Sequence, residues 1–288
     1  AAVEGAMSGT QQADAVGQQV RPGRILPLGG PEDGAWITEA AAAPVLRYAA
    51  EAVGGVRMRS LRIGPAHRDE PGGSGDRPRP AVPPPATALP YGPLRVTASF
   101  DTVADRPLPE SAALVRRALA EAADARLGLA VTTVDLEISG LLDGDGATGA
   151  PEEESPAVPA EDTGDGRPAA VPYRTSPGRA GREIHREEQA GPAYAAAQAA
   201  RGVPGVTALV PGAVRAAAGA PAGRAAQGIR LRDTADPPRR QVQVRCAVHP
   251  GRRVLDVALA VRAAVAAAVS ADAPGPVAVG VLVVAVEE

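Results

Sequence analysis

Few stretches of this chain hold residue types at spacings that could do chemistry. Gly144-Asp145-Gly146-Ala147-Thr148-Gly149 has the glycine spacing of a dinucleotide-binding turn, in which backbone N–H groups receive a pyrophosphate. Such a turn must leave a strand and open an apolar helix. Here Pro151-Glu152-Glu153-Glu154 follows instead, so no cofactor-binding residue is expected. Asp143, Asp145 and Glu154 have the outer spacing of a calcium loop, but Ala147 and Thr148 stand where a ligand and the turn glycine belong. His185 and Glu188 could reach one ion from one helical face, yet two ligands do not make a site, and no metal residue is expected. His67, His185 and His249 all fall in expected loops, turns or linker. Ser111 lies at a helix start, where bonding to the first-turn backbone is its expected role, and no nucleophile elbow surrounds it. Cys246 alternates with Val242, Val244 and Val248, which points it into a core as a small apolar group. No catalytic constellation remains, and the expectation is a protein that is not an enzyme.

One set of charged residues recurs. Arg106 and Arg252, Glu110 and Asp256, and Arg116 and Arg262 occupy matching places in two similar stretches. Their plain reading is helix capping and a solvated face; their functional reading is a partner-binding surface. The elements behind them repeat at an offset of 146 residues, as between Leu94 and Arg240. Leu94-Arg95-Val96-Thr97-Ala98-Ser99-Phe100 then lies on Arg240-Gln241-Val242-Gln243-Val244-Arg245-Cys246, and residues 131–138 lie on 277–284. Identities are few, but the apolar period agrees, and periodicity carries the fold signal.

Each repeat reads α-β-β-α-β. In the first, Pro44 is expected to open a helix that Gly54-Gly55 stop, followed by a strand with an irregularity near Ser60. A strand over 96–100, a helix over 109–126 and a strand over 134–138 complete it. In the second, Pro192 opens a helix ended by Gly202 and Pro204-Gly205, and 206–210 is a strand. A strand over 242–248, a helix over 254–270 and a strand over 277–286 follow. Residues 211–239 read as an insertion with a short helix near 213–218. The fold class expected is therefore α+β, with two tandem two-layer α/β sandwich units. Each has a three-stranded sheet with helices on one face. The expected domain organisation is a disordered tail over 1–35 and a first unit over 36–140 with a Pro/Gly-rich exposed insertion at 64–93. A charged disordered linker over 141–189 leads to a second unit over 190–288.

Composition narrows the function classes. The chain of 288 residues contains no lysine and no asparagine, which removes Walker A phosphate loops, Schiff-base chemistry and N-glycosylation sequons. One cysteine excludes an intrachain disulfide framework. A formal net charge of −3 disfavours an electrostatic nucleic-acid binder. The longest apolar run, 277–286, is half of the roughly twenty residues a membrane helix needs, so no direct membrane span is expected.

The helix ending in Val203-Pro204-Gly205-Val206, the strand 242–248, the turn into Val254-Leu255-Asp256-Val257-Ala258-Leu259-Ala260-Val261-Arg262 and the terminal strand resemble the alkaline shock protein, or Gls, family of bacterial envelope stress response proteins. Residues 190–288 carry the better match, and 36–140 look like a diverged second copy. The resemblance implies a small α/β domain without catalytic activity or active-site residues. It also implies self-association or docking on a membrane-anchored protein partner, and a cytoplasmic place at the inner face of the cell membrane. The alternative is a KH-like RNA-associated module, which also sets helices on a three-stranded sheet but needs a Gly-x-x-Gly loop between two helices that neither repeat displays.

Overall fold

The computed structural model describes residues 23–66, 80–142, 191–211 and 228–287. The expectations for Gly144–Gly149, Asp143, Asp145, Glu154, His67, His185, Glu188, the 213–218 helix and most of the linker lie outside the described residues.

The protein is a mixed α+β fold with two sheets. Two short strands come first, β1 (Ile25–Leu28) and β2 (Ala35–Thr38), paired antiparallel. Helix α1 (Glu39–Glu51) follows without a loop, because the Thr38 hydroxyl accepts the Ala41 N–H at 3.3 Å and caps its start. The helix begins five residues before Pro44 and runs through it, where Pro44 had been expected to open it. Glu39 in the first turn suits the helix dipole, and its buried carboxylate accepts the Ile63 N–H at 3.0 Å.

The smaller sheet contains β3 (Val56–Pro65), β4 (Leu94–Val103) and β5 (Val131–Leu142), in that order. β4 is antiparallel to β3 and parallel to β5. The irregularity expected near Ser60 is a bulge between Met58 and Ser60, which turns Arg59 onto the buried Asp101. Helix α2 (Leu108–Ala122) widens into one π-helical turn over Ala123–Leu127 and stops at Gly128, whose φ of 86° needs a residue without Cβ.

The larger sheet corrects the expectation of three strands: it has six. Helix α3 (Pro192–Arg201) leads into β6 (Val206–Leu209); then come β7 (Ile229–Ala235), β8 (Pro238–Val248), helix α4 (Val254–Val269) and β9 (Val277–Val286). β6 and β7 both pair antiparallel with β8, and β9 pairs with it in parallel. On the far edge of β9 lies β2, in parallel, with Ala35 opposite Val281, and β1 beyond it. Residues 25–28, expected in the tail, are thus an edge strand. The register puts Ile37, Val281, Val283, Val244 and Cys246 on the helix side with α4 and α1.

One apolar cluster runs through both sheets and all four helices. Helix α1 touches β3 of one sheet and β9 of the other. The two halves are also joined by polar contacts: the Arg253 side chain donates to the Asp124 backbone carbonyl at 3.0 Å and to its carboxylate at 3.1 Å. The part of the 64–93 stretch within the described residues is largely exposed, as expected, but it is anchored at a few side chains. Val82 and Tyr91 pack with Ile25, Trp36 and Leu282 on the outer face of the larger sheet.

Candidate functional site

The six charged residues proposed from sequence do not converge. Arg106 pairs with its neighbour Asp105 at 3.4 Å, and Glu110 is exposed in the first turn of α2. The Arg116 Nε donates to the Val134 carbonyl of β5 at 3.3 Å. Arg252 lies exposed beside Gly205, at a shallow depression shared with His249 and Thr207. Asp256 is 3.6 Å from Arg253, one helical turn away. Arg262 is no solvated face residue: it donates to the carbonyls of Glu32 at 2.5 Å and Asp33 at 3.1 Å, clamping the β1–β2 turn onto α4. Arg106, Arg116 and Arg262 each satisfy backbone or a near neighbour.

The remaining candidates are structural. Cys246 is fully buried, and desolvation pushes its thiol up to about 12, so it holds no thiolate at neutral pH. His249 accepts the Gly251 N–H at 2.9 Å and shapes a turn. The Ser111 hydroxyl is buried without a hydrogen-bond partner, contrary to the expected bond to the first-turn backbone. Among the described residues no three His, Cys, Asp or Glu side chains cluster as metal ligands.

What sequence reasoning missed is a cavity of about 450 Å³ on the outer face of the larger sheet. Its floor is built by strand alternation. The register that sends Val244 and Cys246 inward sends Gln243 and Arg245 outward, opposite Gly280 and Leu282 of β9 and beside Arg230 of β7. Arg245 sits where β6 gives way to β7 along β8. Its N–H donates to the Gly228 carbonyl at 2.8 Å, and its carbonyl accepts the Val210 N–H at 2.9 Å. Gly228 has φ 74°, and a Cβ there would stand 2.9 Å from the Arg245 oxygen, so this junction requires glycine.

Trp36 of β2, 1 % exposed, forms a second wall. It lies over Gly280, where an added Cβ would be 3.2 Å from Trp36 Cζ3, and its ring centroid is 5.9 Å from that of Tyr91. Tyr91 has its phenol pushed up to about 12, chiefly by burial. Pro85 and Ala86 close the cavity from above, next to Thr87. Thr87 holds φ 78°, a left-handed conformation that is costly for a β-branched residue.

The electrostatics of this cavity are one-sided. Its lining includes Arg230 and Arg245 and, among the described residues, no carboxylate. The Arg245 guanidinium is shifted down from its ordinary value, by burial first and by the charge of Arg230 second. Arg245 Nε and Trp36 Nε1 are both buried with no hydrogen-bond acceptor among the described residues. A buried donor left unmet costs about 1–3 kcal/mol, so two around one cavity are a large uncompensated term. The single tryptophan and the outward parity of Arg245 were visible in the sequence. The cover was not, because residues 80–93 belong in sequence to the other half.

Compared with known proteins, the chain matches no protein-family model, no curated protein and no solved structure.

Proposed function

We propose that this is a non-enzymatic interaction protein of the alkaline shock type, two α-β-β-α-β units on one chain, which self-associates by adding a strand at the edge of β5. The tandem reading is supported by parallel features of the two halves. Each has a helix, then strand pairing antiparallel to a central strand, then a helix and a last strand parallel to that centre. The observation that carries self-association is the difference between their outer edges. In the larger sheet the edge of β9 is filled by β2 in parallel. In the smaller sheet β5, twelve residues long, has no strand beyond it among the described residues. Among the described residues, only the Arg116 side chain is seen to bond its backbone there, at Val134. An open strand of this length without proline or lysine is a template for another chain. A second copy of this chain brings the same edge, which a two-fold contact requires.

On this reading the protein works in the cytoplasm, peripheral to the cell membrane and held there by a protein partner. No described helix is long and apolar enough to cross a membrane. The RNA-binding alternative gains no support: among the described residues no two consecutive helices are joined by a Gly-x-x-Gly loop. The exposed face of the smaller sheet pairs Arg95 with Asp135 at 3.4 Å and offers no aromatic platform.

The test is sedimentation equilibrium of the full chain. Leu141, 62 % exposed near the end of β5, tolerates charge without loss of core. Leu141→Lys is expected to weaken association about tenfold or more while the thermal midpoint stays put. A wild-type chain that remains monomeric up to high micromolar concentration refutes the proposal, as does association that Leu141→Lys leaves unchanged.

A further inference from the structure

We propose that the cavity over the outer face of the larger sheet binds a small organic carboxylate. Its anionic head would lie on Arg245 with Arg230 beside it, and its flat apolar body against Leu282 and the cover of Pro85 and Ala86, next to the buried Trp36.

Size, shape and charge all point the same way. A volume of about 450 Å³ lies within the range of small-molecule sites, and this cavity has an apolar wall and a cationic wall, as such sites do. On the outer face of the smaller sheet Arg59 binds Asp101, and Arg95 pairs with Asp135. Arg245 and Arg230 share a cavity whose lining holds no acid among the described residues. A guanidinium presents N–H donors in a planar fork that fits a carboxylate, and a monoanion suits the half-buried Arg245 better than a strongly hydrated dianion.

Arg245 Nε and Trp36 Nε1, buried without an acceptor among the described residues, belong to two residues that line this cavity. Small turns of either side chain would bring them to a bound oxygen. An anion would also relieve the two effects that weaken the hold of Arg245 on its proton, burial and the charge of Arg230. The cavity is maintained by features with no role in closing the core. Gly280 leaves room for the indole, and Thr87 keeps a left-handed backbone beside the cover of Pro85 and Ala86. Strain of this kind persists only where the surroundings impose it.

The chain has one tryptophan, so indole emission reports this cavity alone. The probes are benzoate, its neutral isostere benzamide, and inorganic phosphate, added to the full chain. The expected result is a saturable change in Trp36 emission with benzoate, at least tenfold weaker with benzamide and with phosphate. Arg245→Met keeps the apolar stem and is expected to weaken benzoate at least tenfold, with unchanged circular dichroism. Arg230→Gln, at an exposed position, is expected to weaken it severalfold and stands as the second variant should Arg245→Met not fold. Equal titration by benzoate and benzamide overturns the proposal, as does no saturation by benzoate, or tighter binding of phosphate. Full binding by whichever arginine variant folds overturns it too.

Discussion

Gly128→Ala tests whether the two halves of the molecule stand or fall together. Gly128 ends the π-turn after α2 with φ 86° and ψ 29°, and its carbonyl accepts the Gly29 N–H at 3.1 Å. It therefore meets the β1–β2 turn as well as α4. Any residue with a Cβ in this left-handed region costs about 1–2 kcal/mol. The added methyl would also lie 2.5 Å from Leu255 Cβ and 2.9 Å from Leu255 Cδ2. The first of these atoms is fixed to the α4 backbone, so no rotamer change relieves it and the helix must move. Overpacking of this sort adds about 1–3 kcal/mol, for an expected loss of about 2–5 kcal/mol in all. Gly54→Ala is the control: nothing lies within 4 Å of the new Cβ and its backbone is ordinary. That change should be neutral or stabilise by about 0.4–1 kcal/mol. The assay is urea unfolding followed by Trp36 emission and by far-ultraviolet circular dichroism. With a slope of about 2 kcal/mol per molar urea, both midpoints should fall together by about 1–2.5 M. A Trp36 midpoint that does not move while the circular dichroism splits into two steps would show that the halves unfold independently. A shift no larger than that of Gly54→Ala would show that the junction at Leu255 bears no load.

Two other substitutions probe the second half. Arg240, 4 % exposed, grips Asp233 through two bonds of 2.8 and 2.7 Å and caps α4 by donating to the carbonyls of Val269 and Asp272, each at 3.1 Å. Arg240→Met should cost about 3 kcal/mol in chemical denaturation, because charged donors to buried carbonyls are worth about 1.5–3 kcal/mol each and part is recovered by packing; a loss under about 1 kcal/mol contradicts the capping role. Cys246 should resist thiol reagents at pH 8 until the chain unfolds, since it is fully buried with its thiol pushed up to about 12. The unfolded chain loses that proton first, so the stability tied to it is complete below the ordinary value of 9.0 and declines from there toward about 12. The slope is about 1.4 kcal/mol per pH unit at most. Cys246→Ala should remove this decline and leave that of Tyr91, whose phenol rises from 10.0 to about 12. Identical alkaline profiles for the two proteins would contradict the buried-thiol assignment.

What was legible in the sequence is what local periodicity encodes. The strand expected over 242–248 lies within Pro238–Val248, the helix expected over 254–270 ends at Val269, and the strand over 277–286 is Val277–Val286. In each case valines at strict intervals mark one buried face. Three features were not legible, for one common reason. β1 has four residues and a proline, too short for any period, and it exists because β2 anchors it to β9. The six-stranded sheet depends on Ala35 meeting Val281, a pairing that no local pattern announces. The cavity depends on residues 80–93 crossing to the other sheet, so Trp36 and Arg245 acquire their surroundings only in three dimensions. Of the six charged positions, Arg262 and Arg116 donate to backbone carbonyls that only the fold brings near.

The two sheets share a pairing pattern and differ in what covers them. The β1–β2 hairpin and residues 80–93 both flank or interrupt the smaller sheet's strands in sequence, yet both pack on the larger sheet. The larger sheet therefore has its β9 edge closed and its outer face partly roofed, with the cavity left beneath the roof. The smaller sheet keeps, among the described residues, a bare β5 edge and a charged, open outer face. Burial explains why this arrangement is stable: Trp36, Val82 and Leu282 need one another, whereas the Arg95 and Asp135 face is content in water. It also separates two kinds of binding by physics. A small ligand, as proposed, would need enclosure and unmet donors, which the roofed face supplies; a second copy, as proposed, would need an accessible run of backbone, which the β5 edge supplies among the described residues. Loss of one capacity by mutation on its own sheet should therefore leave the other intact.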